Sequence, residues 1–215
     1  MTPSAVLFDC DGVIVDSEPI TDEIIAASLA RHGLVIKVGD IHGMFLGGTM
    51  NSVGEEARRL GADLPESWVD DIYEEMFERL ARDTPLIPGI TAVFDALDAA
   101  GIPYAVGSNG PHRKMAITLG QHPDLYRRLR GRIFSRHDVA RPKPAPDLYL
   151  HAARALGVPP AGCVVIEDSP TGARAAAAAG MRCFGYAATS DATGLQAAKA
   201  TPFRSMADLP ALLGL

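Results

Sequence analysis

CVVIEDSPTGARAAAAAG, residues 163–180, joins a short apolar run to an alanine-rich segment through a pair of acids. Cys163–Ile166 is short and rich in β-branched residues, so it predicts a buried parallel strand. Glu167 and Asp168 end that strand, and Thr171–Ala179 has the composition of a helix that packs closely on a sheet. The stretch therefore indicates one strand–helix unit of an α/β fold, with acids at the carboxyl end of its strand.

The same alternation of strand and helix recurs in much of the chain. Together with Cys163–Ile166, the predicted strands are Ala5–Phe8, Tyr104–Gly107, Arg132–Ser135 and Cys183–Tyr186. Strands that alternate with helices in this way predict a doubly wound parallel sheet, a Rossmann-like architecture. Residues 17–85 have helical spacing instead, as in Ile20, Ile24 and Leu29. We therefore predict an α/β core of residues 1–16 and 86–215 with an inserted α-helical domain at 17–85.

Composition and charge exclude several classes of protein. The 215 residues are 47% hydrophobic and 21% charged, which is ordinary for a globular domain. The net charge of −6 comes from residues 17–85, where 14 Asp or Glu outnumber 6 Lys or Arg. No basic stripe is present, which argues against nucleic acid as a partner. No apolar run is long enough to span a membrane and no basic leader precedes Ala5–Phe8, so we expect a cytoplasmic protein. A compact monomer is the default expectation for its oligomeric state.

The three cysteines are expected to be packing residues. Cys10, Cys163 and Cys183 are widely spaced and form no Cys-x-x-Cys pair, so neither a zinc site nor a disulfide framework is indicated. Each lies in or beside an apolar run, where a thiol behaves as a small hydrophobic side chain.

Polar residues follow four of the five predicted strands where a phosphate-binding site would need them. Carboxyl ends of parallel strands share one edge of a sheet, and ligands bind there. Aspartate oxygens suit Mg²⁺, a serine hydroxyl can donate to a phosphoryl group, and a lysine offsets the charge of phosphate and of an attacking carboxylate. The candidate residues are Asp9, Asp11 and Asp168 as metal ligands, with Asp9 also as the nucleophile, Ser108 as a donor to the phosphoryl group and Lys143 as the charge that serves both catalysis and substrate; Asn109 and Glu167 are their neighbours in the sequence.

FDCDGVIVD, residues 8–16, raises the alternative that Cys10 is the nucleophile. In an extended chain, side chains two residues apart share a face, so Asp9 and Asp11 can reach one site while Cys10 points away. No histidine is adjacent in the sequence to lower the pKa of the thiol. The pattern therefore favours Asp9 as the nucleophile.

Four motifs together resemble the haloacid dehalogenase-like phosphohydrolases: LFDCDGVIVDSE, VGSNGP, RPKPAPDLY and VVIEDSPTGARAAAAAGM. The resemblance implies a helical cap inserted after the first strand and a Mg²⁺-dependent reaction. It implies that Asp9 forms an aspartyl-phosphate and that Asp11 is the general acid and base, with its backbone carbonyl on the metal. Ser108 and Asn109 would hold the phosphoryl group, and Lys143 would bridge it to Asp9. Asp168 would ligate Mg²⁺, with Glu167 in or near its coordination shell.

Within that family, the chain resembles the β-phosphoglucomutase and phosphatase branch, and in SNGPHRKM it is similar to sugar-phosphate phosphatases of the 6-phosphogluconate type. The expected substrate is a small phosphorylated metabolite, a sugar phosphate or sugar-acid phosphate. A phosphosugar mutase is the alternative. It is disfavoured because a mutase must hold a second phosphate, and many β-phosphoglucomutase-like relatives carry a basic residue in the substrate loop of the cap. The corresponding stretch here, Phe45–Thr49, has no Lys or Arg. A phospho-accepting receiver domain is a further alternative, disfavoured by the Asp-x-Asp spacing and the insertion. His112, Arg113 or Lys114 could bind a substrate carboxylate, but all three are interpreted as solvated helix residues.

Overall fold

The structure is a computed structural model that describes residues 2–45, 49–188 and 192–215. Its described residues form a six-stranded sheet in the order β3-β2-β1-β4-β5-β6, with every neighbouring pair parallel. The strands are β1 (Ala5–Phe8), β2 (Tyr104–Ser108), β3 (Ile133–Ser135), β4 (Cys163–Glu167), β5 (Arg182–Tyr186) and β6 (Thr201–Phe203). The predicted doubly wound sheet is confirmed, and β6 is a strand that the sequence pattern did not predict.

Helices connect the strands and cover both faces of the sheet. They are α1 (Glu18–Arg31), α2 (Val38–Phe45), α3 (Met50–Arg59), α4 (Trp68–Leu80), α5 (Ile90–Ala99), α6 (His112–Gly120), α7 (Pro123–Leu129), α8 (Asp147–Ala155), α9 (Pro170–Ala178), α10 (Ala192–Ala197) and α11 (Leu209–Leu213). In the described part of the chain, no helix is both long enough and apolar enough to cross a membrane.

The central strands feed two hydrophobic layers by simple alternation. Val6 and Phe8 of β1 join the layer that contains α5, α6 and α7, whereas Leu7 joins the layer that contains α8 and α9. In β4, Val164 and Ile166 likewise pack with the first layer and Val165 with the second. Because both faces of these strands are buried, their sequences are continuously apolar up to the first polar residue. That polar residue therefore lies at the carboxyl end of its strand.

Helices α1 to α4 follow β1 and pack around a hydrophobic cluster of their own. Leu29, Trp68, Ile72 and Leu80 are among its buried members. The chain leaves and re-enters the sheet at neighbouring points, because the Asp16 N–H donates to the Pro85 carbonyl at 2.8 Å. In the loop stretch 45–49, residues 46–48 lie outside the described residues, so its lack of cations stays a sequence observation.

Candidate active site

The candidate site lies where the strand order reverses, beyond the carboxyl ends of β1 and β4. Phe8 and Ile166 are paired across these strands, and the Asp9 N–H donates to the Ile166 carbonyl at 2.9 Å. The next residue on β4 is Glu167, so register alone brings the acids of the two strands side by side. Such a reversal opens a crevice at the sheet edge, which is where ligands bind in open α/β folds.

Lys143 joins the acids of the two strands. Its Nζ lies 2.6 Å from Asp9 Oδ1 and 2.7 Å from Glu167 Oε1, and the lysine is only 5% exposed. The Tyr149 hydroxyl donates to the same Glu167 oxygen at 2.9 Å, and its ring lies under the ammonium at 4.6 Å. A buried charge is tolerated only when it is paired, so this lysine and its carboxylates depend on one another.

Glu167 is held in place by the turn that leads into α9 and by two side chains from elsewhere, Lys143 and Tyr149. Its two oxygens accept five hydrogen bonds, from Lys143 Nζ, Tyr149 Oη, Ser169 Oγ and the backbone N–H groups of Asp168 and Ser169. Gly172 leaves room for this carboxylate, since a Cβ there would lie 1.5 Å from Glu167 Oε1. The arrangement fixes both Lys143 and the start of the turn that carries Asp168.

Asp11 lines the same cavity as Asp9 and Lys143 and is paired with a second lysine, Lys114. Lys114 Nζ is 2.8 Å from Asp11 Oδ1, and the Ser17 hydroxyl donates to the same oxygen at 2.5 Å. The interpretation of Lys114 as a solvated helix residue is wrong, because the residue is 8% exposed and lines the cavity. Its neighbour Arg113 does face solvent, where it pairs with Glu74.

Ser108 and Asn109 end β2 beside the acids. Ser108 is buried, and its Oγ accepts a hydrogen bond from the Gly110 N–H at 2.9 Å. The Asn109 side chain makes a reciprocal pair with the Lys143 backbone, accepting from its N–H at 3.0 Å and donating to its carbonyl at 3.2 Å. Asn109 thus fixes the loop that carries Lys143, and both residues line the cavity.

The carboxylates at the sheet edge have the donor chemistry of a divalent cation site. One oxygen from each of Asp9, Glu167 and Asp168 lies within 4.8 Å of the others. Burial, opposed in part by Lys143, raises the pKa of Asp9 to about 7. Burial together with Glu18 raises the pKa of Asp168 well above its usual value. Lys143 alone therefore leaves this cluster of acids undercompensated, and hard oxygen donors of this kind suit Mg²⁺.

Cys10 does not have the environment of a nucleophile. It is completely buried among the apolar side chains under the sheet, and burial raises the pKa of its thiol well above the usual value, with Asp11 and Asp9 adding to the shift. A reactive cysteine needs the opposite shift. All three cysteines are buried and free, as the sequence predicts.

Gly12 gives a prediction about stability. Its φ is +76°, and a Cβ there would lie 2.0 Å from Asp168 Oδ2, whereas Gly180, with φ +72°, has open space around it. Gly12→Ala and Gly180→Ala should each lower the free energy of unfolding by about 1–2 kcal/mol, because alanine is strained in the left-handed backbone conformation. Gly12→Ala should lower it by about 1–3 kcal/mol more, because its Cβ overpacks against Asp168. Urea unfolding of the two variants measures the difference. Equal losses would contradict the close approach of Asp168 to the Gly12 backbone.

Several residues of the site carry no distinctive sequence signal. Tyr149 falls within RPKPAPDLY and Ser17 within LFDCDGVIVDSE, but nothing in their type or spacing marks them as partners of Glu167 and Asp11. Lys114 has the appearance of any helical lysine. Other cavity-lining residues are contributed by the helices that follow β1, among them Glu18, Thr21, Asp22, Ile25, Val53 and Tyr73.

Comparison with known proteins gives consistent matches along the chain. Residues 3–180 match a family model described as a haloacid dehalogenase-like hydrolase. A 6-phosphogluconate phosphatase of Escherichia coli is 30% identical over 210 residues, covering 97% of this chain and 93% of the relative.

Two solved structures are similar over nearly the full length of the chain. A haloacid dehalogenase-like protein of unknown function from Agrobacterium tumefaciens has a TM-score of 0.86 and 32% identity, covering 98% of this chain and 97% of that one. A HAD family hydrolase from Deinococcus radiodurans, solved with bound phosphate and sodium, has a TM-score of 0.81 and 33% identity, covering 99% and 96%.

Proposed function

This chain belongs to the haloacid dehalogenase-like hydrolases and is a phosphoric monoester hydrolase, and from that premise we propose that it hydrolyses a small sugar phosphate or sugar-acid phosphate through an aspartyl-phosphate on Asp9 with the aid of Mg²⁺. One observation carries the proposal. Lys143 binds Asp9 at 2.6 Å within a cavity that Ser108, Asp11 and Asp168 also line. A nucleophile, donors to a phosphoryl group and a metal-binding acid thus converge on one place.

The proposed reaction has two displacements at phosphorus. In the first, an Asp9 carboxylate oxygen bonds to phosphorus as the bond to the leaving oxygen breaks, and that oxygen takes a proton from Asp11. In the second, Asp11 takes a proton from water as the water oxygen bonds to phosphorus and the bond to Asp9 breaks. Burial tends to raise the pKa of Asp11, but Lys114 and the hydrogen bonds from Lys114 and Ser17 outweigh it and lower that pKa. The carboxylate is the form that accepts a proton in the second displacement, whereas the first displacement uses the protonated form, which the lowered pKa disfavours.

In this proposal the side chains of Asp9 and Asp168 and the backbone carbonyl of Asp11 would hold the cation. It would supply positive charge to the phosphoryl oxygens, as in other phosphoryl-transfer sites. Glu167 belongs to the same cluster, but its oxygens are already occupied by five donors. We therefore assign Glu167 the task of holding Lys143 and the turn at Asp168.

We also propose that residues 17–85 are a cap over a core of residues 1–16 and 86–215. The separate hydrophobic cluster of α1 to α4 supports this division. Its two connections to the sheet run together, with Val15 and Leu86 forming an antiparallel bridge. Such adjacent connections can act as a hinge, so that closure excludes water and opening admits the substrate.

The lining on the cap side supports a small polyol-like leaving group. Thr21, Asp22 and Tyr73 offer polar side chains, while Ile25 and Val53 add apolar surface. Hydroxyl and carboxylate groups beside aliphatic side chains are suited to a sugar, which presents hydroxyls and carbon faces together. The name of the Escherichia coli relative points to the same class of substrate.

Asp168 gives a test of the metal site. Asp168→Asn should raise the Mg²⁺ concentration for half-maximal activity by about tenfold or more, because it removes a charged oxygen ligand. Titration of Mg²⁺ into metal-free enzyme measures this value. Asp124→Asn, at an exposed position on α7, is the matched control and should leave it unchanged. An unchanged Mg²⁺ requirement in Asp168→Asn would remove Asp168 from the site.

A screen of phosphate release tests the function itself. The purified chain is assayed with 6-phosphogluconate, hexose phosphates, hexitol phosphates and phosphoglycolate, each with Mg²⁺ and with EDTA. We expect metal-dependent release of inorganic phosphate from one or more sugar or sugar-acid phosphates. Conversion of glucose 1-phosphate to its isomer in the presence of a bisphosphate would instead identify a mutase. A stable phosphoprotein without turnover would identify a receiver domain.

A further inference from the structure

Lys114 lies on α6, a helix that contacts α4, and its side chain is buried. It is 8% exposed, and its ammonium lies 2.8 Å from Asp11 Oδ1. An ammonium loses several kcal/mol of hydration when it is buried, and a partner of opposite charge is required to offset the loss. Asp11 is that partner, so the position of each side chain depends on the other.

The contacts of Asp11 leave one of its oxygens directed toward the loop that follows β2, at residues 108–110. Oδ1 takes two donors, Lys114 Nζ and Ser17 Oγ. Oδ2 lies on the loop side, because a Cβ on Gly110 would be 3.5 Å from Asp11 Oδ2 and 3.2 Å from Ser108 Oγ. Two donors on one carboxylate oxygen restrict rotation of the group. The other oxygen is thereby kept on the same side as the Ser108 hydroxyl.

The helix that carries Lys114 is itself fastened to α4. Arg113 pairs with Glu74 and lies 4.5 Å over the ring of Phe77. Gln121, at the end of α6, donates to the Leu80 carbonyl at 2.8 Å. Lys114 therefore reaches Asp11 from a helix that packs against α4 in this conformation.

We propose that Lys114 is a positioning residue, which holds Asp11 through Oδ1 so that Oδ2 meets the leaving oxygen of the substrate. The inference rests on the proposed function, in which Asp11 donates the proton to that oxygen. Lys143 cannot replace Lys114 in this task, because its ammonium is engaged by Asp9 and Glu167. The two lysines thus have separate partners: Lys143 pairs with the nucleophile, Asp9, and Lys114 pairs with the proton donor, Asp11.

The test compares two aryl phosphates that differ in their need for a proton donor. Phenol is a poor leaving group and p-nitrophenol a good one, so loss of proton transfer slows phenyl phosphate selectively. For Lys114→Met, we expect kcat/KM to fall about 10- to 100-fold with phenyl phosphate and less than about threefold with p-nitrophenyl phosphate. Lys114→Arg, which keeps a donor for Asp11, should recover part of the loss.

Two further variants separate the possible failures. Arg127→Met, at an exposed position on α7, should change both substrates alike, and thermal unfolding verifies that each variant is folded. Asp11→Asn should show the largest difference between substrates. If Asp11→Asn shows the difference and Lys114→Met does not, Lys114 is not a positioning residue. If Asp11→Asn also lacks the difference, or if the wild-type chain releases phosphate from neither ester and from none of the sugar phosphates of the screen, the proposed function fails.

Discussion

Asp9→Asn is expected to lower kcat by at least about 1,000-fold for every phosphate ester that the chain hydrolyses. The amide has nearly the shape of the carboxylate but is not a nucleophile, so no phosphoryl group can be transferred to it. The variant should fold normally, because it removes one of several buried negative charges and leaves Lys143 paired with Glu167 at 2.7 Å. Phosphate release under substrate saturation measures kcat, and thermal unfolding verifies the fold.

Asp95→Asn is the matched control for that experiment. Asp95 lies on α5, where it pairs with Arg128 at 2.6 Å on the surface. The same change of carboxylate to amide there should leave kcat within about twofold of the wild-type value, as is usual for exposed ion pairs. Substantial turnover by Asp9→Asn would mean that water attacks the substrate directly.

The second large effect is expected at Lys143. Lys143→Met should lower kcat/KM by about 100- to 1,000-fold, because the ammonium stabilises charge on the transferring phosphoryl group and orients Asp9. It should also lower the free energy of unfolding by about 3–5 kcal/mol, since two buried carboxylates lose their common partner. Steady-state kinetics and urea unfolding measure the two losses.

A double variant separates stability from catalysis at this position. Adding Asp9→Asn to Lys143→Met removes one of the two orphaned charges, so part of the lost stability should return while activity does not. If stability does not recover in the double variant, Asp9 and Lys143 are not coupled as their 2.6 Å contact implies. Wild-type kcat/KM in Lys143→Met alone would remove the lysine from the mechanism.

The sheet could be predicted from sequence because its central strands are buried on both faces. Ala5–Phe8 and Cys163–Glu167 are short apolar runs that end at acids, a pattern typical of buried parallel strands that lead into a polar site. β6, by contrast, is three residues long and contains Pro202. Helix α2 contains Gly39 and Gly43, which weaken a helical pattern. Such segments are ordered by tertiary packing, which a local pattern does not contain.

The candidate residues were identified from their places after the strands, whereas their partners needed the fold. Asp9 and Glu167 become neighbours through strand register, which the sequence implies once the strands are assigned. Lys114 and Asp11 are separated by about one hundred residues, and a helical lysine is usually solvated. Only the fold, which brings Lys114 of α6 to the residues that follow β1, identifies their ion pair.

The glycines of the site pose the same problem for prediction. A glycine in a sequence indicates a turn as readily as it indicates a close approach of another group. Gly172 lies in the first turn of α9, and the space that it leaves is filled by the Glu167 carboxylate. That requirement is set by a side chain anchored on Lys143 and Tyr149. It is visible only once these elements are assembled.

The central claim is that Asp9 carries the phosphoryl group, and chemical trapping tests it most directly. The enzyme is quenched with acid during turnover of its best substrate from the screen, treated with borohydride, and digested for mass spectrometry. Borohydride reduces an acyl phosphate, so we predict a reduced residue at position 9 in the tryptic peptide that ends at Arg31, the first Lys or Arg of the sequence. Asp9→Asn, treated alike, should give none. Reduction at Asp11 in place of Asp9, or turnover with no trapped residue, would contradict the claim.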